Sequence, residues 1–196
     1  MRTVTALRAT RGGRVAVELD ERPWRVVPAI AVVEAGLSVG LPLERAQARV
    51  LARALRRDRA ESVTVRALAR RDRSRAELEE RLVRAGVREV DRQATLDRAA
   101  RVGLVDDGRF ARARARSLAA RGAGDALIRE ELGRHGVEDD AGRAAVSELE
   151  PEVTRAARIV DERGRTARTL RYLASRGFGE ESLDGLVAEL ENRALP

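Results

Sequence analysis

The sequence predicts a mainly α fold, three tandem three-helix repeats in an elongated curved array behind a small N-terminal β-hairpin or three-strand cap. Three observations predict it. Glycine closes one amphipathic run after another, at Gly86, Gly103, Gly122, Gly136, Gly164 and Gly177. One pattern recurs, apolar-x3-apolar-x3-Gly-apolar: Leu78, Leu82, Gly86, Val87, then Ile128, Leu132, Gly136, Val137, then Thr169, Leu173, Gly177, Phe178. Hydrophobic residues make up 43% of the 196 residues but aromatic ones only 2%, so the core must be built from Leu, Val and Ala. Such small side chains, each burying little area, suit several helix clusters better than one large globule.

Taken in order, residues 1–43 read as the β-rich cap. Gly12-Gly13 and Asp20-Glu21 are turn candidates, and Val15, Val17 and Leu19 alternate with the period of a half-buried strand. Trp24 to Val27 supplies a third strand, and Pro28 suits the start of a short helix ended by Gly36. A three-stranded sheet alone is marginal, so it should lean on a helix. Residues 44–56 are a connecting helix. Repeat one is 57–105, with helices near 60–72, 75–85 and 90–102; repeat two is 106–152, with helices near 107–121, 125–135 and 139–149. Repeat three is 153–196, with helices near 153–163, 166–176 and 180–194; Thr169 makes it the most divergent. Helix starts are visible as well: Ser74 to Glu77 has the spacing of a capping box, Asp106 can cap the next helix, and Gly124 and Gly179 begin two more.

The repeat has a plain physical sense. Apolar residues at i and i+4 share a helix face, a glycine takes the left-handed turn that ends the helix, and the next apolar residue folds back on it. A three-helix unit of this size stabilises poorly alone, and stacking buries the faces each unit leaves open.

Charge narrows the function. All 39 basic residues are arginine and 32 are acidic, a net charge of +7. That balance suits a polyanion or an acidic protein as partner. The positive charge concentrates in 53–75 and 109–121. On helices, Arg66, Arg70 and Arg73 would share one face, as would Arg109, Arg112 and Arg116, with Arg121 following. The opposite faces, Val63, Ala67 and Leu68, then Phe110, Ala113 and Leu118, would pack. These seven arginines are the candidate partner- or phosphate-binding residues. Arginine serves either role, because its fork pairs with carboxylate and with phosphate alike. Interleaved aromatics are missing, which argues against stacking on single-stranded bases.

Other chemistries find little support. There is no cysteine, so disulfides and thiolate zinc sites are excluded. His135 is the only histidine and precedes a capping glycine, where a helix end favours it; no catalytic set can be assembled on several imidazoles. Asp106-Asp107 reads as a cap with a first-turn acid. No enzyme, cofactor or metal is expected, and no apolar run approaches a membrane span. A cytoplasmic monomer is the expectation.

Four segments resemble the RecX family. Arg70 to Leu78 is similar to its Leu-x-x-Arg-x-x-Ser-x-x-Glu-Leu stretch, and Val102 to Ala111 to its Leu-Gly-Leu-x-Asp-Asp-x-Arg-Phe-Ala stretch. Arg129 to Val137 resembles Ile-x-x-Glu-Leu-x-x-Lys-Gly-Ile, and Leu170 to Phe178 resembles its Leu-x-x-Arg-Gly-Phe ending. The hairpin with Trp24 is similar to the cap of some members. The resemblance covers most of the chain and is strongest over 66–137. It departs at Val87 and Val137, where Phe or Ile is commoner, and at His135, where Lys is usual. The resemblance implies a regulator lying in the groove of the RecA–DNA filament and modulating, by inhibition, its ATPase, strand exchange and co-protease activities. Single- or double-stranded DNA phosphates remain open as a further contact, and a stand-alone nucleic-acid-binding helical protein is the alternative.

Overall fold

The structure, a computed structural model, describes residues 2–185. The chain opens on three antiparallel strands in the order β1-β2-β3: β1 (Val4–Thr10), β2 (Arg14–Leu19) and β3 (Arg22–Pro28). Gly12 and Gly13 take left-handed φ of 74° and 67° in the first turn, which glycine adopts without steric cost. Asp20 and Glu21 do the same at 51° and 63° without that freedom. Local hydrogen bonds offset the strain: the Thr3 N–H donates to Asp20 Oδ1 (2.8 Å) and the Glu21 N–H to Thr5 Oγ1 (2.9 Å).

The short helix α1 (Ala29–Glu34) follows Pro28, and α2 (Arg45–Leu68) lies against the sheet. Val4, Val17, Leu19 and Val27 from the strands, Ala31 from α1, and Leu51 and Ala54 from α2 form one core. The helix expected to support the sheet is thus α2. It is a single element of 24 residues, so the connecting helix of 44–56 and the first helix of repeat one are continuous, and the boundary at 56/57 falls inside it. It stops at Leu68, short of 72. Its start carries the reciprocal capping box: the Glu44 carboxylate accepts from the Gln47 backbone, and the Glu44 N–H donates to Gln47 Oε1 (3.1 Å).

Seven further helices complete the described elements: α3 (Arg75–Arg84), α4 (Glu89–Arg101), α5 (Asp107–Ala119), α6 (Asp125–Arg134), α7 (Asp139–Ser147), α8 (Glu152–Arg163) and α9 (Ala167–Ser175). Residues 180–185 begin another helical stretch, and the rest of the helix expected over 180–194 lies outside the described residues. The described chain divides into two compact units: residues up to 70 with 80–98, and residues 71–79 with those from 99 onward.

The recurring pattern is a Schellman ending in all three copies. The Val87, Val137 and Phe178 N–H groups donate to the Leu82, Leu132 and Leu173 carbonyls (3.0, 3.1 and 3.2 Å), while the glycine before each donates to residue 83, 133 or 174. The second apolar position of the pattern and the residue after glycine are therefore backbone hydrogen-bonded partners, and in all three copies both side chains are buried. Thr169, the apparent defect of the third copy, is buried, and its hydroxyl donates to the Gly164 carbonyl (2.7 Å). The core of repeat two gathers Phe110, Ala111, Ala115, Ile128 and Leu132, and that of repeat three Ala156, Val160, Leu173 and Phe178. Each of the two phenylalanines anchors one of these cores.

Within the second unit the glycine endings also join successive repeats. Ser74, just before α3, is fully buried and its hydroxyl donates to the His135 carbonyl (2.5 Å), the residue before Gly136. In the same way the Gly124 N–H, just before α6, donates to the Arg176 carbonyl (2.8 Å), and the Ala126 N–H to Gly177 (3.1 Å). The start of one middle helix thus seats on the glycine end of the next. In repeat one the corresponding Ala85 carbonyl, within the first unit, receives the Arg59 guanidinium of α2 (2.5 Å).

Candidate interaction surface

The arginines expected on common faces divide into three groups. Arg66 and Arg70 are exposed, the first on α2 and the second past its end; α2 stops at Leu68, so Arg73 does not continue their face. Arg73 is instead tucked in, its side chain 11% exposed and 3.9 Å from Glu77. On α5, Arg109, Arg112 and Arg116 do follow one another along a single helix. Arg109, however, donates to the Gly103 (3.1 Å) and Leu104 (3.4 Å) carbonyls, serving the end of the preceding helix, and Arg112 leans on Glu148 at 3.9 Å. Arg116 and Arg121 are exposed and have no ion pair or side-chain hydrogen bond among the described residues. The packed side of α5 is Phe110, Ala111 and Ala115; Ala113, expected there, is exposed.

Beside Ala113 lies a recess lined by Arg71, Asp72, Arg114, Phe110, Ser117 and His135. Its charged wall is a network that sequence reasoning missed. Arg71 holds Glu77 with two hydrogen bonds (2.5 and 3.0 Å), and Arg114 holds Glu131 (2.6 Å). His135 stands between those carboxylates, Nδ1 3.2 Å from Glu77 and Nε2 3.7 Å from Glu131, with its ring edge-on to Phe110 at 5.6 Å. Ser74 caps α3, since the Glu77 N–H donates to its hydroxyl (3.1 Å), and the Glu77 carboxylate is held by Arg71. Burial works against the charged form of Glu77, yet the Arg71 hydrogen bond and charge outweigh it and hold the carboxyl below its ordinary value. The Arg114 hydrogen bond does the same for Glu131, against a smaller burial effect. Asp106 caps α5 as expected, accepting the Arg109 N–H at 2.8 Å.

A second unforeseen cluster joins repeats two and three. Arg155, 6% exposed, donates to the Glu150 (3.0 Å) and Ala123 (2.7 Å) carbonyls and to the Asp125 carboxylate. Glu152 accepts from the Asp125 N–H (2.5 Å), the Gly179 N–H (3.0 Å) and the Ser182 hydroxyl (2.7 Å). Burial opposes its ionisation, but these donors and Arg155 hold its carboxyl low. No sequence pattern distinguishes Arg155 from its many exposed counterparts; the only signal is an Arg in a first turn, where a cation gains nothing from the helix dipole.

Among the described residues, no group of three or more His, Asp or Glu could hold a metal ion, and no helix is long and apolar enough to cross a membrane. The recess beside α5 thus holds two guanidiniums, each already paired with a carboxylate, and a half-buried imidazole between those carboxylates.

Helical units joined through glycine ends, with arginines displayed from the middle one, define an α-helical repeat protein. A family model described as RecX, second three-helix domain, matches residues 106–146, which are α5 to α7 with their cap. The protein named regulatory protein RecX of Chromohalobacter salexigens is 41% identical over 133 residues, covering 63% of this chain and 88% of its own. That of Mycolicibacterium smegmatis is 34% identical over 156 residues, covering 70% of this chain and 82% of its own. Among solved structures, a crystal structure of regulatory protein RecX superposes with a TM-score of 0.78 at 19% identity, covering 96% of this chain and 100% of the other. RecX from Lactobacillus salivarius gives 0.60 at 17% identity, covering 69% and 97%. The chain belongs to the RecX family.

Proposed function

We propose that this protein is a non-enzymatic regulator that binds in the groove of the RecA–DNA filament and inhibits its ATPase, strand-exchange and co-protease activities. It would act in the cytoplasm as a monomer, without a cofactor, in recombinational DNA repair and the SOS response. The regulatory role follows from family membership. What supports a contact through repeat two is that Arg116 and Arg121 stand exposed and unpaired among the described residues, in the repeat the family model matches. Exposed guanidiniums of this kind pair with carboxylates of a protein or with phosphates of the DNA it holds. Arg70 is a further exposed guanidinium; Arg66, which donates to the Ser62 carbonyl (2.9 Å), Arg73, Arg109 and Arg112 contribute less, since their side chains are already engaged.

The test is the single-stranded-DNA-dependent ATPase of RecA with increasing amounts of this protein. The rate falls saturably with the wild type and falls less with Arg116→Glu/Arg121→Glu. An unchanged rate at stoichiometric protein refutes the proposal. The alternative, a stand-alone nucleic-acid binder, draws on the same exposed arginines. It requires binding to bare DNA that weakens steeply with salt when RecA is absent, and undetectable binding at moderate salt eliminates it.

A further inference from the structure

The groove between β3 and α2 has no part in the proposal above. It encloses about 520 Å³, within the range of ligand-binding clefts, roughly 300–1,000 Å³. All its lining residues belong to the first unit. Leu51 and Leu55 of α2, with the half-buried Trp24 of β3, form the apolar part, and Arg25, Arg56 and Arg59 form the charged part. No acidic residue lines it.

Three properties describe what would fit. The walls are aliphatic with one aromatic ring, and Val26 at the rim is 51% exposed, so an apolar side chain gains by entering. The three guanidiniums have most of their donors unspent. Arg56 approaches Asp91 at 3.5 Å, Arg59 gives one N–H to Ala85, and Arg25 lies 5.6 Å over the Trp24 ring with no ion pair among the described residues. An arginine carries five N–H donors, so each can still take a carboxylate. Finally, β3 is an edge strand of the sheet, and an edge strand offers backbone groups along which an extended segment can lie.

We propose that this groove is a docking site for an extended acidic peptide carrying a bulky aliphatic anchor. The anchor enters between Trp24 and Leu55, and flanking carboxylates pair with Arg25, Arg56 and Arg59. A nucleic acid fits less well, because bases bind by stacking on exposed aromatic faces and the floor here is mainly leucine and alanine.

Trp24 is the only tryptophan of the chain, so its fluorescence reports directly on the groove in the intact protein. The probe is a capped peptide with two central leucines flanked on both sides by glutamates. Saturable change in Trp24 emission is expected, with affinity falling several-fold as salt is raised. Arg25→Glu, an exposed site whose fold is checked by circular dichroism, should weaken binding roughly tenfold, about 1.4 kcal/mol. Leu55→Gln should weaken it independently. The proposal is overturned by any of three results: no saturable change at millimolar peptide, equal binding of a peptide with serines for leucines, or a response to oligothymidylate and none to the peptide. RecA is not present, so the outcome is separate from that of the ATPase test.

Discussion

Gly177→Ala tests the joint between repeats two and three. The substitution has two costs. Gly177 has φ of 80°, and an L-residue in that region costs roughly 1–2 kcal/mol. The added Cβ would also lie 2.6 Å from the Leu127 backbone nitrogen and 2.7 Å from its Cβ. Part of that clash is with backbone, so no rotamer change relieves it, and overpacking of this kind costs roughly 1–3 kcal/mol more. The total is about 2–5 kcal/mol. Gly103→Ala is the control in the same unit: φ is 71° and nothing lies within 4 Å of its Cβ, so only the backbone cost applies. The excess of Gly177→Ala over Gly103→Ala isolates the joint. It should amount to about 1–3 kcal/mol, or roughly 3–9 °C in melting temperature for a chain of this size. Urea unfolding followed by circular dichroism measures it. If the two variants agree within about 0.5 kcal/mol, the glycine is needed only for its backbone angle and the close seating on α6 is wrong. Gly136→Ala, whose Cβ would overlap that of Ala76, should repeat the result at the preceding joint.

Arg155→Met leaves the Asp125 carboxylate, the buried Ala123 carbonyl and the Glu150 carbonyl without their donor, so a loss of about 3–5 kcal/mol is expected by urea denaturation; a loss under about 1 kcal/mol would show that water replaces the guanidinium. Glu77, Glu131 and Glu152 are all held below the ordinary 4.5 when folded. Because the folded values are depressed, their stabilisation is present above the unfolded value and is lost as pH falls through the folded values. The urea midpoint should therefore drop as pH is lowered below about 4.5, with a smaller drop for Glu152→Gln, and an equal drop in that variant counts against its role. Arg109→Ala should lower stability by about 1 kcal/mol, because it uncaps the Gly103 and Leu104 carbonyls. Arg116→Ala and Arg121→Ala should leave the melting temperature within error, and a matching loss in either would mean they are structural.

Much of the fold was legible because its signals are local. The glycine endings are written within six residues: the apolar residue that accepts the last hydrogen bond, the glycine that turns, and the apolar residue that donates back. The same holds for Asp106, whose carboxylate reaches only three residues along the chain. The continuity of α2 was also legible, since no glycine or proline interrupts 45–68; matching the chain to a repeat boundary divided a helix that local chemistry leaves whole. What could not be read is set by distance along the chain. The Ser74 hydroxyl finds its acceptor 61 residues away, and Arg155 finds Asp125 and Ala123 at separations of 30 and 32. In a chain whose basic residues are all arginine, residue type alone cannot separate a buried guanidinium, one spent on a helix end, and one left exposed.

The Arg59 guanidinium on the Ala85 carbonyl bears on how such a chain can grow. In the later repeats that carbonyl position is taken by a group from the preceding middle helix, so a copy duplicated between repeats two and three would meet a matching seat on either side. A copy placed ahead of residue 71 would first have to evict a side chain that belongs to the sheet-bearing unit. Lengthening by duplication is therefore compatible with the joint between repeats two and three and opposed at the Ala85 carbonyl.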